Sequence, residues 1–209
     1  MQGILALFAE TEIFIYVFIE IMARLKSIQK VMLEKGNWSD KLIFIAIFGV
    51  FSIFGTYVGI PLPDGAIINI RDFAPIMAGL TAGPLMGLTV GLVGGLHRLL
   101  LGGFTCVSCG LATVFAGLIS GAVYHFNKGK LIGIFPGLVL AIVVEIIHGA
   151  ITLLIARPLT EAIEVVKVAI PGMMVANGLG VVVAIIILEH TRELRQLTSQ
   201  VREVAGHKG

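Results

Sequence analysis

Several charged residues of this chain lie in or beside apolar stretches, where an ionised side chain is costly and usually functional. Arg71 and Asp72 follow Asn69, and the pair His97-Arg98 comes at the far end of the next apolar run. Two guanidinium groups near one another need anions, and Asp72 supplies only one negative charge. Because arginine binds a carboxylate through two parallel hydrogen bonds, the pattern predicts a site for a small carboxylate. In the alternative interpretation, Arg98 extends to the lipid headgroups.

A second set of polar residues falls where the following apolar helix is expected to begin. Thr105, Ser108 and Cys109 lie at this helix N-terminus, where free backbone N–H groups and the helix dipole favour an anion. Cys106 and Cys109 also have C-x-x-C spacing, so a thiol redox sensor is a further alternative. The predicted ligand-binding residues are Arg71, Arg98, Cys109, Asn69, Thr105, Ser108 and His97.

Polar residues in the later apolar runs are expected to line the same cavity. Glu145 and His148 are three residues apart and share a helix face, so we expect them to hydrogen-bond to each other or to a partner helix. Asn177 could contact the ligand or form an interhelical hydrogen bond. No phosphate-binding loop, nucleophile elbow or zinc-protease motif occurs, and no catalytic residue, metal or cofactor is predicted. The predicted secondary lining is Asp72, Thr113, Glu145, His148 and Asn177.

The elements that must position these residues are transmembrane helices. Hydrophobic residues make up 57% of the 209 residues and charged residues 13%, about half the charged fraction of a soluble domain. This composition excludes a soluble enzyme. A helix that spans a bilayer needs roughly 20 mostly apolar residues. Suitable runs cover residues 4–23, 42–60, 73–101, 110–126, 131–156 and 165–188.

The distribution of basic residues constrains the topology of these runs. Lysine and arginine concentrate in residues 24–41, 127–130 and 189–209, and short basic segments tend to stay cytoplasmic. If residues 73–101 crossed the bilayer once, the first basic segment would lie outside. A turn at Gly83-Pro84 removes this conflict, because residues 72–82 and 85–98 then form a helical hairpin. The alternative is one helix with a proline kink.

The hairpin also changes where the two arginines lie. Along a straight helix Arg71 and Arg98 would be about 40 Å apart, whereas in a hairpin both lie at its outer mouth. We therefore predict an all-α polytopic membrane bundle of about five full spans plus the hairpin. Its predicted parts are an N-terminal helix and cytoplasmic loop (1–41), a ligand-sensing transmembrane domain (42–188) and the start of a cytoplasmic signalling helix (189–209).

The polar tail shows a heptad of apolar residues with charged neighbours. This spacing is typical of a parallel two-stranded coil, so the tail predicts a homodimer. The alternative is an ordinary solvated helix end. The heptad residues are Ile187, Leu194, Leu197, Val201 and Val204.

The stretch from Asn69 to Gly121 closely resembles the five-transmembrane LYT sensor region of LytS/YehU-type histidine kinases. It reads NIRDFAPIMAGLTAGPLMGLTVGLVGGLHRLLLGGFTCVSCGLATVFAGLISG. The shared features are the asparagine-x-arginine, the glycine-proline with spaced glycines, the histidine-arginine pair and the cysteine before a threonine. The resemblance covers roughly residues 40–190. The hairpin and its outward-facing cavity also resemble the substrate-binding subunits of energy-coupling-factor vitamin transporters.

The resemblance implies a ligand sensor in the bacterial inner membrane, with its C-terminus in the cytoplasm. Members usually carry a histidine kinase, sometimes a diguanylate cyclase. Kinases close to this sequence respond to pyruvate, and others are linked to cell-wall regulation. Ala112 stands where some relatives have a hydroxyl residue, so the ligand of this chain can differ.

The resemblance also implies partners. They are a small carboxylate such as pyruvate, the lipid bilayer, a second copy of the chain, and a kinase module with its response regulator; no nucleic acid is expected. Because the sequence ends at Gly209, we expect no catalytic domain here and a kinase acting in cis or in trans. The alternative function is a small-solute-binding subunit of a membrane transporter.

Overall fold

The computed structural model describes residues 2–61 and 67–206, which are almost entirely helical. Two short strands form an antiparallel ribbon that pairs Ile60 with Ile68 and Pro61 with Ile67. The elements are α1 (Gln2–Arg24), α2 (Lys26–Met32), α3 (Trp38–Tyr57), β1 (Ile60–Pro61), β2 (Ile67–Ile68), α4 (Phe73–Ala82), α5 (Pro84–Leu100), α6 (Cys106–Phe126), α7 (Ile134–Ile155) and α8 (Leu159–Gly206).

Four of the described helices are long and apolar enough to cross a bilayer, namely α3, α6, α7 and the Leu159–Thr198 part of α8. The 23-residue α1 is long enough to be a fifth span, although it carries Glu10, Glu12 and Glu20. Helices α4 and α5 have 10 and 17 residues, and each is shorter than a typical span. The predicted all-α membrane bundle with a hairpin is confirmed.

The turn at Gly83-Pro84 is a reversal of the chain. Gly83 adopts φ 88°, a left-handed conformation that favours glycine, and Pro84 opens α5. A Cβ atom added at Gly87 would lie 2.8 Å from the Gly79 Cα atom. In a straight helix these two residues would be about 12 Å apart along the axis. The alternative of a single kinked helix is therefore wrong.

The hairpin packs closely along α6 through small residues. A Cβ atom at Gly79 would meet the Gly121 backbone nitrogen, and one at Gly117 would meet the Gly87 carbonyl. The hairpin tip at Gly83 lies against the Tyr124 ring, near the C-terminal end of α6. Such close backbone approach needs small residues, as in other membrane helix pairs. The hairpin mouth therefore lies at the N-terminal end of α6.

The three basic segments meet at the other end of α6. The first segment contains the short helix α2, where the sequence predicts a loop. Glu34 of this segment accepts a 3.1 Å hydrogen bond from the Tyr124 hydroxyl. Residues of all three segments, including Glu34, Lys128 and Arg192, line one cavity. The segments thus share one side, as the hairpin topology requires.

Helix α8 is one continuous helix of 48 residues, so the last span runs into the tail without interruption. Ile187 is only 7% exposed and packs in the core of its own protomer, whereas Leu194 and Leu197 are 51% and 58% exposed. Ile187 is therefore unavailable to a partner helix, and its assignment to the heptad seam is wrong. The side chains of Val201 and Val204 lie outside the described residues.

Candidate functional site: a buried polar cluster

A cluster of buried polar side chains lies at the hairpin mouth, where α4 meets α6, α7 and α8. Arg71 and Asp72, both 0% exposed, precede α4. The Arg71 Nε atom donates to Thr113 Oγ1 at 2.7 Å and lies 3.6 Å from Asp72 Oδ1. The Thr113 hydroxyl donates to Asp72 Oδ1 at 2.5 Å. Asn69 Oδ1 accepts from the Arg71 backbone N–H at 3.0 Å, which orients the segment before α4.

Helix α7 contributes the buried residues Glu145 and His148. His148 Nδ1 lies 2.8 Å from Asp72 Oδ2 but 3.6 Å from Glu145 Oε2. Of the two kinds of partner expected for this pair, His148 has the one on another element, and its contact with Glu145 is longer than a hydrogen bond. This contact joins Asp72, the residue directly before α4, to α7.

Helix α8 joins the cluster through Asn177, which is fully buried. Its Nδ2 atom donates to Glu145 Oε1 at 2.9 Å and to the Asn69 carbonyl at 3.1 Å. The side chain thus links α8 to α7 and to the hairpin entry. This contact is the interhelical hydrogen bond given as the alternative for this residue.

Some buried polar atoms of the cluster have no hydrogen-bond partner among the described residues. They include Arg71 Nη1 and Nη2, Glu145 Oε2 and Asn177 Oδ1. An unpaired buried polar group costs about 1–3 kcal/mol, and a charged one costs more. The two Nη atoms form the end of the guanidinium, which can donate two parallel hydrogen bonds to a carboxylate end-on. The arrangement therefore suits an anionic group placed against Arg71.

A small cavity of about 20 Å³ borders the cluster, with room for about one water molecule. A three-carbon acid would therefore need its wall to move outward. Helix α8 forms most of that wall, opposite α6 and α7. The lining residues are Thr105, Cys109, His148, Thr152, Val165, Val166, Ala169, Ile170 and Met173.

Arg98 lies at the same end of the molecule but has different partners. Its Nη1 donates to the Gly102 carbonyl at 2.5 Å and its Nη2 to Thr105 Oγ1 at 3.1 Å. At 4% exposure it does not extend to the lipid headgroups, so that alternative is wrong. These two hydrogen bonds hold the connection between α5 and α6 in place. Arg98 is linked to the cavity lining through Thr105.

The remaining predicted residues differ in how close they come to the cavity. Cys109 is half-buried on the cavity wall beside His148, and both Cys106 and Cys109 are free thiols. Ser108 is buried, but its hydroxyl donates to the Thr105 carbonyl at 3.0 Å. This bond lies within the first turn of α6. His97 pairs its Nε2 atom with the Tyr57 hydroxyl at 3.1 Å, away from the cluster's hydrogen bonds.

Three cluster residues have the donor atoms of a metal site. The ligand atoms of Asp72, Glu145 and His148 lie within 4.8 Å of one another. However, His148 Nδ1 is already bonded to Asp72, and Arg71 Nε lies 3.6 Å from the same carboxylate. The adjacent guanidinium opposes a second cation, so the set fits an anion ligand better than a metal.

Sequence reasoning missed the apolar wall and one backing contact. Ser52 on α3 donates to the Arg71 carbonyl at 3.1 Å, which fixes the chain before α4. Val165, Ala169 and Met173 line the cavity at intervals of four residues along α8. Their spacing marks one helix face, but apolar residues on a membrane helix give no signal for a site.

Comparison with known proteins agrees with this architecture. The family 5TM-5TMR_LYT, described as "5TMR of 5TMR-LYT", matches residues 25–191. The chain belongs to this family. The match contains every predicted site residue.

Curated relatives of this 5TMR-LYT chain are sensor kinases. Sensor histidine kinase BtsS of Escherichia coli (strain K12) is 32% identical over 145 residues, which are 67% of this chain and 26% of that protein. Sensor protein LytS of Bacillus subtilis (strain 168) is 28% identical over 205 residues, 90% of this chain and 34% of that one. The chain thus spans about a quarter to a third of these relatives and matches their membrane sensor region. It is a multi-pass membrane sensor domain.

The 5TMR-LYT chain also shares a fold with a solved transport protein. The S component of a bacterial ECF transporter superposes with a TM-score of 0.53 at 22% identity, over 78% of this chain and 99% of that one. The expected resemblance to these subunits is confirmed for the fold.

Proposed function

We propose that this sensor domain binds a small carboxylate, such as pyruvate, and passes the binding signal to a cytoplasmic histidine kinase. The Arg71 guanidinium carries the proposal. It is fully buried, it is oriented by Thr113 and Asp72, and its two Nη atoms have no partner among the described residues. A carboxylate is the anion whose geometry matches this paired donor.

The neighbouring residues suit the rest of such a ligand. Thr105, Cys109 and His148 place a hydroxyl, a thiol and an imidazole on one wall of the cavity. These groups would contact a second oxygen of the ligand, such as the keto oxygen of pyruvate. The opposite wall is apolar and comes from α8, which would exclude acids with longer chains.

The same wall supplies a route for the signal. Val165, Ala169 and Met173 on α8 would have to move to admit a ligand, and α8 continues as one helix to Gly206. A displacement of about 1–2 Å is typical of helix-shift switches. The ligand would thus change the position of the tail, which acts on a kinase in cis or in trans and through it on a response regulator.

The remaining parts of the proposal concern location and assembly. The chain would lie in the bacterial inner membrane with its basic end and C-terminus in the cytoplasm and the hairpin mouth outside. It would act as a homodimer, divided into residues 1–41, 42–188 and 189–209 as predicted. A link to cell-wall regulation would follow from the LytS relatives.

A ligand screen tests the proposal. Detergent-purified protein is screened by thermal shift against small organic acids, and calorimetry then measures the affinity of each acid that raises the unfolding temperature. Pyruvate should stabilise the wild-type protein and not the Arg71→Ala variant. If no carboxylate binds, or if binding is unchanged in Arg71→Ala, the proposed site is wrong.

A small-solute-binding subunit of a transporter remains the alternative because such a subunit shares this fold. In that case the tail has no signalling role. The behaviour of the tail therefore distinguishes the two functions.

A further inference from the structure

A second, larger cavity lies at the basic end of the molecule, away from the carboxylate cluster. It has a volume of about 590 Å³, which is within the range of small-molecule sites. Its walls come from the region of α2, from the turn between α6 and α7, and from α8 at Leu188–Gln196. No part of the proposed carboxylate function uses this cavity.

The charged side chains of this cavity are mostly cationic. Lys128, Lys130 and Arg192 line it, and none of the three forms an ion pair with a described residue. The one carboxylate in the lining, Glu34, accepts a hydrogen bond from the Tyr124 hydroxyl. Positive charge therefore exceeds negative charge in the cavity, which favours an anionic occupant.

The other part of the lining is apolar and includes Met32, Leu33 and Leu188. Leu33 is 60% exposed, so it offers an apolar surface at the rim. A site that combines three cations with an apolar wall, at the end of a membrane bundle, matches an amphiphile with an anionic head. Basic pockets between transmembrane helices bind lipid headgroups in this way.

We infer that this cavity binds the phosphate headgroup of an anionic phospholipid, with the acyl chains along the apolar wall. Lys128 and Lys130 would contact the phosphate from the α6–α7 turn, and Arg192 would contact it from α8. Because Arg192 follows the apolar run of residues 165–188 on α8, the lipid would join the tail helix to the rest of the bundle.

Native mass spectrometry of the detergent-purified chain tests the inference. Phosphatidylglycerol and phosphatidylcholine with equal acyl chains are titrated separately, and retained lipids are counted. The wild-type protein should retain one phosphatidylglycerol at concentrations where phosphatidylcholine is lost. In a variant with Lys128→Gln, Lys130→Gln and Arg192→Gln, this preference should fall about 100-fold, since each cation near an anionic lipid contributes roughly fivefold.

A matched control separates this site from general basicity. Lys26→Gln, Lys35→Gln and Lys41→Gln remove the same charge from the same end, but these residues do not line the cavity. The control variant should keep the preference for phosphatidylglycerol. Equal losses in the two triple variants, or no preference in the wild-type protein, would overturn the inference.

Two further measurements sharpen the result. Glycerol 1-phosphate should not displace the lipid, and full displacement would indicate a site for soluble phosphates instead. Leu33→Gln should weaken lipid retention.

If the triple variant fails to fold, Glu34→Gln serves in its place. It removes the one repulsive charge and should raise phosphatidylglycerol affinity about fivefold, and an unchanged or lower affinity would contradict the site.

Discussion

The two ends of this membrane bundle handle charge in opposite ways. At the hairpin mouth, the buried Asp72 pairs with the buried Arg71 and His148, beside a cavity of about 20 Å³. At the basic end, Lys128 and Arg192 are exposed beside a cavity of about 590 Å³. The charges at the hairpin mouth have fixed partners at fixed distances, whereas the attraction for an anion at the basic end depends mainly on net charge.

The surroundings of the charges explain the difference. Buried charges must be paired and hydrogen-bonded, because desolvation costs several kcal/mol per ion. Charges at the membrane surface stay hydrated and screened, so each contributes little. A single substitution should therefore have a large effect at the hairpin mouth and a small one at the basic end.

The sidedness of the two ends gives an all-or-none prediction. Single cysteines at positions 30 and 128, in a background without native cysteines, should both resist a membrane-impermeant thiol reagent applied outside intact cells. A cysteine at position 102, in the connection at the hairpin mouth, should react. Labelling at position 30 together with protection at 128 would separate the two basic segments and contradict the hairpin topology.

Loss of Arg71 should have the largest effect on affinity. Arg71→Ala should reduce carboxylate affinity by about 2–5 kcal/mol, or roughly 30- to several-thousand-fold, as for other buried charge pairs. Arg71→Lys should restore little, because an ammonium lacks the paired donors. Calorimetry measures the affinity, and the exposed Arg24→Ala serves as control.

The comparison with Arg98 makes this prediction more specific. Arg98→Ala should also weaken binding, but it removes hydrogen bonds to Gly102 and Thr105 and so should lower the unfolding temperature too. Arg71→Ala should retain the fold, since Asp72 keeps Thr113 and His148 as partners. If the wild-type protein and both variants bind the carboxylate with equal affinity, neither arginine belongs to the site.

The α8 wall should control the size of the ligand. Met173→Ala enlarges the cavity, so affinity for an acid one methylene longer than pyruvate should rise by about 10- to 200-fold relative to pyruvate. Competition calorimetry measures the ratio. Val175→Ala is the control, because Val175 lies on the same helix and is 51% exposed. An unchanged ratio in Met173→Ala would mean that α8 does not limit ligand size.

The tail should show the smallest effect. A cysteine at Leu197 should crosslink between two copies in native membranes faster than one at Gln196, because Leu197 belongs to the apolar heptad. Ligand should change the ratio of the two rates by a few-fold, the scale of a small helix shift. If the two positions crosslink equally, the tail is not a dimer seam and the transport function gains support.

The sequence by itself determined the membrane class and the family, and it predicted the hairpin. These features depend on local properties: the length of each apolar run, the basic residues between runs, and the backbone of Gly83-Pro84. The same patterns identified Arg71, Asp72 and Asn177, because ionisable and amide groups are conspicuous among apolar residues.

Only the tertiary structure decided how these residues are paired and which apolar side chains surround them. His148 bonds to Asp72 and not to its helical neighbour Glu145, and Ile187 packs inward and not in a dimer seam. Met173 lines the cavity although nothing in its local sequence marks it. The physical reason is that such contacts join helices distant in the chain, so their partners depend on the rotation and depth at which those helices pack.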